Sequence, residues 1–450
     1  MMGRQSPFLR GSVIVKFRAG TASAAQRAIL SRAQSAGSST PSYADFEIVA
    51  IDLDADPEDV ARRLALQPDV DYAQARYLAQ PRFVPNDPLY ARQWNLTSLD
   101  MERAWDINQG ATSAITVAVL DSGVAYRSAL LSYDALPLDL RPFGPLFPAL
   151  GRVTIPFAAA PDLLGGDRFT APRDFVWDNE LPVDLDGHGT HVAGTVGQLT
   201  NNGAGAAGMA FNVRIMPVKV ISGTWDLIFG APFRGTDDVI ARGVRYAADN
   251  GAHVINMSIG RDGGPPAVVV REAISYAVSR GAFVVVAGGN SFLEGNPSER
   301  YAEFAPSIDG MVAVGATGRG RTRAYYSNTG AYLELAAPGG DQLADGTVGG
   351  VLQQTLDLDF VDTYLDGPAF YRAPRFDVFA YEFFQGTSMA APHVAGFAAL
   401  LMQQGISKPA AVEAAMKQFA TDLGTSGRDD AYGHGLINPR LTLRGLGLAK

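Results

Sequence analysis

Gln385-Gly-Thr-Ser-Met-Ala-Ala-Pro-His-Val-Ala-Gly396 sets Ser388 between a small, flexible turn, Gly386 and Thr387, and an apolar run that continues to about residue 403. The run reads as a helix over 389–403. A serine at its start projects its oxygen from a tight turn, and its own N–H is one of the donors that a helix leaves unpaired. That geometry suits a nucleophile whose tetrahedral intermediate carries negative charge. It also suits a helix cap, the ordinary role of a serine in this place. The rest of the chain decides between the two, because a nucleophilic serine needs a base and the base needs an orienting group.

Two upstream stretches supply both. Asp184-Leu-Asp-Gly-His-Gly-Thr-His-Val-Ala-Gly194 carries His188, and Ile115-Thr-Val-Ala-Val-Leu-Asp-Ser-Gly123 ends a β-branched apolar strand on Asp121. The order Asp121, His188, Ser388 is that of the subtilisin constellation, as against His-Asp-Ser in chymotrypsin and Ser-Asp-His in α/β-hydrolases. The serine motif is also not a Gly-x-Ser-x-Gly elbow. Together the three motifs closely resemble those of the subtilisin-like serine proteases (subtilases), over roughly residues 88–440, with a start at Asn86-Asp-Pro-Leu-Tyr-Ala-Arg-Gln-Trp-Asn-Leu96 like that of thermitase-like members.

The resemblance implies a serine endopeptidase that hydrolyses proteins through Asp121, His188 and Ser388 by way of an acyl-enzyme. In Val284-Val-Val-Ala-Gly-Gly-Asn290 an apolar strand runs into two glycines and an amide. A strand-end asparagine alone is ordinarily a turn former, but the family pattern places Asn290 in the oxyanion hole beside the Ser388 amide. Ser258, Ile259 and Gly260 resemble the segment that pairs with substrate backbone and lines one side of the primary pocket. Ala287, Gly288 and Gly289 line the other. The floor is expected from 291–305, where Glu294, Glu299, Arg300 and Glu303 each either reach the pocket or face water. A broad apolar or aromatic preference is the default expectation.

No cofactor is expected for the chemistry. Leu199-Thr-Asn-Asn-Gly-Ala-Gly205 resembles the family's calcium loop, with Asn202 as the side-chain ligand among hard oxygen donors. Asp178, Asp184 and Asp186 form a second candidate calcium cluster, or simply an acidic exposed loop. His191 follows His188 by three residues, and no third metal ligand is apparent beside the pair; the resemblance assigns the base to the first histidine of His-Gly-Thr-His-Val-Ala-Gly, which leaves His191 a packing role. His393, His253 and His434 read as structural.

The chain has 450 residues, 47% hydrophobic, no cysteine and 49 glycines, with mean hydropathy +0.03. That is ample for a large core and more than one domain. Residues 1–88 hold ten basic and ten acidic side chains, so the net charge of −9 falls on the remainder. An acidic body without a basic stripe argues against a nucleic-acid partner. Absence of cysteine excludes a disulfide framework and a catalytic thiol. No run of 18 apolar residues suggests a membrane span. Residues 1–10 are too short and polar for a signal peptide, whereas the family resemblance implies an extracellular enzyme. A monomer is expected.

Residues 11–80 read as a small α+β (ferredoxin-like) unit: strands near 12–17, 45–53 and 70–78, a helix over 22–36 stopped by Gly37, and a second over 56–66 opened by Asp56-Pro57. This resembles the inhibitory prodomain of subtilases. The expected organisation is a prodomain over 1–82, a linker and mature start over 83–95 with 81–88 exposed, and a catalytic domain over 96–450. A self-processed zymogen follows, cut within about 78–90. Strands at 115–120, 214–220, 253–257, 282–287 and 311–316 alternate with helices at 188–199, 237–249, 267–279 and 389–403, which argues an α/β fold with a mostly parallel sheet covered on both faces. The long segments 126–176 and 341–384 depart from compact subtilisins. The second is aromatic-rich and reads as a hairpin packed on its own domain, or as a rim for extended substrates. Two rivals to the endopeptidase are a transpeptidase or ligase on the same fold and a silent binding scaffold.

Overall fold

The computed structural model describes residues 8–32, 35, 37–78, 83–139, 146–231, 235–365, 367 and 371–445. The chain divides into two compact units, residues 1–82 and 83–449. In the first, a four-stranded antiparallel sheet has the order Gly37–Ser39, Glu47–Ala50, Phe8–Phe17, Val70–Tyr77. Helices Ser23–Arg32 and Pro57–Ala65 complete it. The second helix begins as its sequence dictates: Asp56 accepts the Glu58 N–H at 2.9 Å, and Pro57 occupies the first turn, where no N–H is needed. Val13, Val15, Ile29, Val49, Val60 and Leu64 form its core. Two expectations shift. Gly37 does not stop a helix but opens a strand paired with Ala50. The 45–53 strand shrinks to Glu47–Ala50, because Asp52 accepts the Asp54 N–H at 2.8 Å and turns the chain.

The second unit is built on a seven-stranded, all-parallel sheet in the order Arg173–Asp174, Arg214–Lys219, Thr116–Asp121, Val254–Met257, Phe283–Ala287, Met311–Thr317, Leu335–Pro338. Thr116–Asp121 and its two neighbours toward the C-terminal side are buried along their whole length, as sheets covered on both faces require. Successive side chains point to opposite faces. Val117 and Val119 join a core with Val192, Val196, Met389 and Val394, from helices His188–Gly197 and Thr387–Gln403. Ala118 and Leu120 join another with Val239, Val244, Val270 and Ile274, from helices Asp237–Asp249 and Val268–Ser279. Asp121 continues the odd series, so strand period alone turns it toward the face that carries His188 and Ser388.

The serine helix is buried nearly all round, as expected of a helix apolar on every side. Pro392 lies four residues after Ser388 and has no N–H to give to the Ser388 carbonyl. Ser258 Oγ donates to that carbonyl instead, at 2.7 Å. The helix start is thereby tied to the end of the 254–257 strand.

The two long insertions pack on their own domain. Ala129–Ala135 pairs with Gly151–Phe157, and Val351–Leu356 pairs with Phe379–Phe384, both antiparallel. Phe157 stacks on Phe376 at 5.0 Å, Tyr133 on Phe229 at 4.4 Å, and Trp225 on Tyr371 at 5.8 Å. Trp225 Nε1 donates to the Val361 carbonyl at 2.6 Å. The segment 81–88 is only partly exposed where it is described: Val84, Asn86 and Pro88 face solvent. Pro85 and Asp87 are buried, and Phe83 stacks on Phe211. Residues 79–82 lie outside the described residues.

Candidate active site

The carboxyl ends of three adjacent parallel strands define one rim. Asp121 ends the first, Ser258 follows the second by one residue, and Asn290 follows the third by three. Such rims are where open α/β sheets place their sites. His188 Nδ1 lies 2.7 Å from Asp121 Oδ1, which also accepts the Ser122 N–H. Asp121 is fully buried, and its Oδ2 has no hydrogen-bond partner among the described residues. The histidine helix approaches this strand end closely because residue 189 is glycine: a Cβ there would sit 2.1 Å from the Gly123 carbonyl oxygen. Burial opposes the imidazolium. The adjoining Asp121 carboxylate, then Asp186 and Asp184, outweigh it and raise the His188 pKa to about 9.

Ser388 is partly exposed, and its hydroxyl donates to the Ser258 carbonyl at 3.0 Å. Thr387 holds the amide across from it. Its N–H and hydroxyl both donate to Asn290 Oδ1, at 2.8 and 2.9 Å. With its oxygen end occupied, exposed Asn290 presents its NH2 end as a donor. Thr387 Oγ1 also accepts the Gly289 N–H at 3.2 Å. A carboxylate-paired imidazole, a hydroxyl at a helix N-terminus and an oriented amide donor, gathered on one rim, can carry out acyl transfer.

Ser258, Ile259 and Gly260 continue the middle strand, and Ala287, Gly288 and Gly289 the next. Gly288 packs tightly: a Cβ there would sit 2.8 Å from the Val314 carbonyl oxygen. Of the four charged residues expected near the floor, Glu299 alone is buried, while Arg300 pairs with Glu303 at 2.7 Å and Glu294 is exposed.

The acidic residues do not gather as a set. Asp178 is exposed and pairs with Arg173, with Arg242 at 3.9 Å. Asp184 is buried and accepts from Ser122 Oγ, the Asp186, Gly187 and Thr190 N–H groups and Thr190 Oγ1. It caps the histidine helix. Asp186 accepts the His188 N–H at 3.2 Å. The expected second cluster is thus three separate roles, and among the described residues no three acidic or histidine side chains converge on one point. Asn202 does meet a carboxylate: its Nδ2 donates to Asp162 Oδ1 at 2.9 Å. Asp162 Oδ2 accepts from Gln198 Nε2, the Ala206 N–H and Tyr381 Oη. Asp87 accepts the Asn201 N–H at 2.7 Å. Burial pushes the Asp162 carboxyl upward.

Sequence reading missed Asp87, Asp162, Thr387 and the Ser258 hydroxyl. Asp87 and Thr387 sat inside quoted motifs, while Asp162 stands in a stretch with no pattern to mark it. His191 is buried, stacks on Phe384 at 4.4 Å and is held by the Val351 and Glu382 carbonyls, with a pKa lowered to about 3 by burial. His393 is buried between Asn95 and the Met389 carbonyl. Burial disfavours the imidazolium at both, so each stays neutral at neutral pH.

A doubly wound parallel sheet with a serine, a histidine and an aspartate on its rim defines a serine-peptidase class of site. The subtilase family model matches residues 112–435, and the fervidolysin N-terminal prodomain model matches residues 3–75. The chain is 32% identical to a thermophilic serine proteinase of Bacillus sp. (strain AK1), over 84% of this chain and 74% of the relative. It is 28% identical to thermitase of Thermoactinomyces vulgaris, over 79% of this chain and 98% of the relative. Among solved structures, a protease from Pseudoalteromonas arctica PAMC 21717 superposes with TM-score 0.59 at 28% identity, covering 81% of this chain and 99% of that one. Fervidolysin from Fervidobacterium pennivorans shares the fold, with TM-score 0.55 at 23% identity, covering 98% of this chain and 62% of that one. The chain belongs to the subtilase family and is a subtilisin-like serine peptidase with an N-terminal prodomain.

Proposed function

We propose that the chain is a self-processing serine endopeptidase in which Ser388 is the nucleophile, His188 the general base and acid, and Asp121 the group that orients and stabilises the imidazolium. The observation that carries this is the 2.7 Å contact of His188 Nδ1 with buried Asp121. It leaves Nε2 as the proton acceptor. A χ1 rotation frees the Ser388 hydroxyl from the Ser258 carbonyl. Its oxygen then adds to the scissile carbonyl while His188 takes the proton, and His188 returns that proton to the leaving amine. The Asn290 NH2 and the Ser388 N–H receive the developing oxyanion. Ser258–Gly260 and Ala287–Gly289 flank the bound substrate. Water then releases the acyl group by the same steps in reverse roles.

Residues 1–82 act as the inhibitory prodomain, 83–95 begin the mature enzyme, and 96–450 form the catalytic domain. Relatives bear the names of extracellular proteases, one from Xanthomonas campestris among them, which supports secretion. Among the described residues no helix is long and apolar enough to cross a membrane. Calcium plays a structural part: buried Asp87 and Asp162, with Asn202, bring hard oxygens to one loop, and a cation would offset the cost of holding the Asp162 carboxylate out of water. Ligation would require the Asn202 amide to turn its oxygen inward.

Intact mass over time tests this reading. Wild type should lose about its first 80–90 residues, and Ser388→Ala should stay whole. Persistence of both chains with calcium present would refute self-processing.

A further inference from the structure

Between the two glycine-lined walls lies one acidic side chain, beside the buried Asn328 amide. A Cβ on Gly260 would lie 2.7 Å from Glu299 Oε1, and a Cβ on Gly289 would lie 3.4 Å from Glu299 Cβ. Glu299 therefore spans from one wall to the other. It is 1% exposed, and its carboxylate accepts the N–H groups of Arg261 at 2.5 Å, Tyr301 at 3.0 Å and Ala302 at 2.5 Å. These amides hold the charge in place, but they carry no net charge to cancel it.

The cations near it are engaged elsewhere. Arg261 donates to the Pro265 carbonyl at 2.6 Å and lies 3.3 Å from Asp237, and Arg300 pairs with Glu303. Asp262, on the paired backbone, adds a like charge and accepts from Ser291 Oγ. Tyr301 donates to Asp237 and Tyr332 to the Gly288 carbonyl. Among the described residues no cation pairs with this carboxylate, so a negative charge stands at low dielectric beside the slot, where a cationic group entering from the cleft gains most.

We propose that Glu299 makes the primary pocket select a lysine or arginine side chain on the residue whose carbonyl is attacked. This rests on the reading of Ser258–Gly260 and Ala287–Gly289 as the pocket walls. It replaces the default expectation of an apolar or aromatic preference. Burial raises the Glu299 carboxyl to about 7, so the charge is present above that pH and lost below it.

The test uses the processed enzyme and two fluorogenic peptides that differ only in arginine or phenylalanine before the scissile bond. The ratio of their kcat/KM values cancels the His188 titration, which both substrates share. At pH 8.5 arginine should be favoured, and Glu299→Gln should lower the ratio roughly 10- to 100-fold. In wild type the ratio should fall as pH is lowered through about 7, while in Glu299→Gln it should be flat. If Glu299 only staples the backbone, both substrates lose rate together with an unchanged ratio, and the proposal fails. A wild-type preference for phenylalanine, or a pH-independent ratio, also overturns it, without need of the variant. A Ser388→Ala enzyme that still cleaved both peptides would instead refute the active-site reading.

Discussion

Thr387 should act on the oxyanion step through Asn290. Its hydroxyl and its N–H both hold Asn290 Oδ1, at 2.9 and 2.8 Å. Thr387→Val removes the hydroxyl and keeps the N–H and the side-chain shape. One neutral hydrogen bond contributes about 1 kcal/mol, and if that fraction of the amide's preorganisation is lost, turnover falls about 5-fold. KM should barely move, because the donor acts on the oxyanion rather than on the ground-state carbonyl. Asn290→Leu should lower kcat by about 10²- to 10³-fold. The double variant decides the matter: with Asn290 gone, Thr387→Val should cost almost nothing further. Steady-state kinetics on one peptide substrate for the four enzymes close the cycle. A 5-fold loss repeated in the Asn290→Leu background, or a change confined to KM, would refute this coupling.

Other consequences follow from the same contacts. Asp186→Asn removes one of the carboxylates that raise His188, so the acid limb of the kcat/KM profile should move to lower pH; a limb that stays or rises contradicts that role. His188 has its pKa raised from 6.5 to about 9, so its stabilising pairing is fully present below about 6.5 and fades as pH rises through 9. Thermal unfolding of wild type against Asp121→Asn at pH 6 and pH 10 should show a larger gap at pH 6. Chelation should lower the Tm of the processed enzyme, and Asp162→Asn should abolish most of that calcium dependence, whereas an equal drop on chelation in both would exclude the 199–206 loop. Trp225→Ala, at the centre of the aromatic insertions, should cost about 3–5 kcal/mol in urea unfolding; a loss below 1 kcal/mol would mean that the cluster is loosely packed.

The candidate rim was legible because its three residues sit on the strongest local patterns in the chain. Continuous β-branched runs such as Thr116–Asp121 and Phe283–Ala287 mark buried parallel strands, and an apolar run after Ser388 marks its helix. Arg173–Asp174 and Leu335–Pro338 were not seen as strands, since two residues carry no period and a proline argues against a sheet interior. Long-range charge pairing was also hidden. Asp178, Asp184 and Asp186 stand close in sequence, but Arg173 and Arg242 draw off the first and the start of the 188–197 helix uses the second. The fate of Glu299 among four charged neighbours depended on which backbone N–H groups converged on it, and no sequence period encodes that.

The central claim is tested most directly by labelling the processed enzyme with a fluorophosphonate and mapping the adduct by peptide mass spectrometry. One adduct on Ser388 is predicted, formed more slowly as pH falls below the His188 pKa of about 9 and almost absent in His188→Ala. An adduct on another residue, or peptide hydrolysis that persists in Ser388→Ala, would contradict the account.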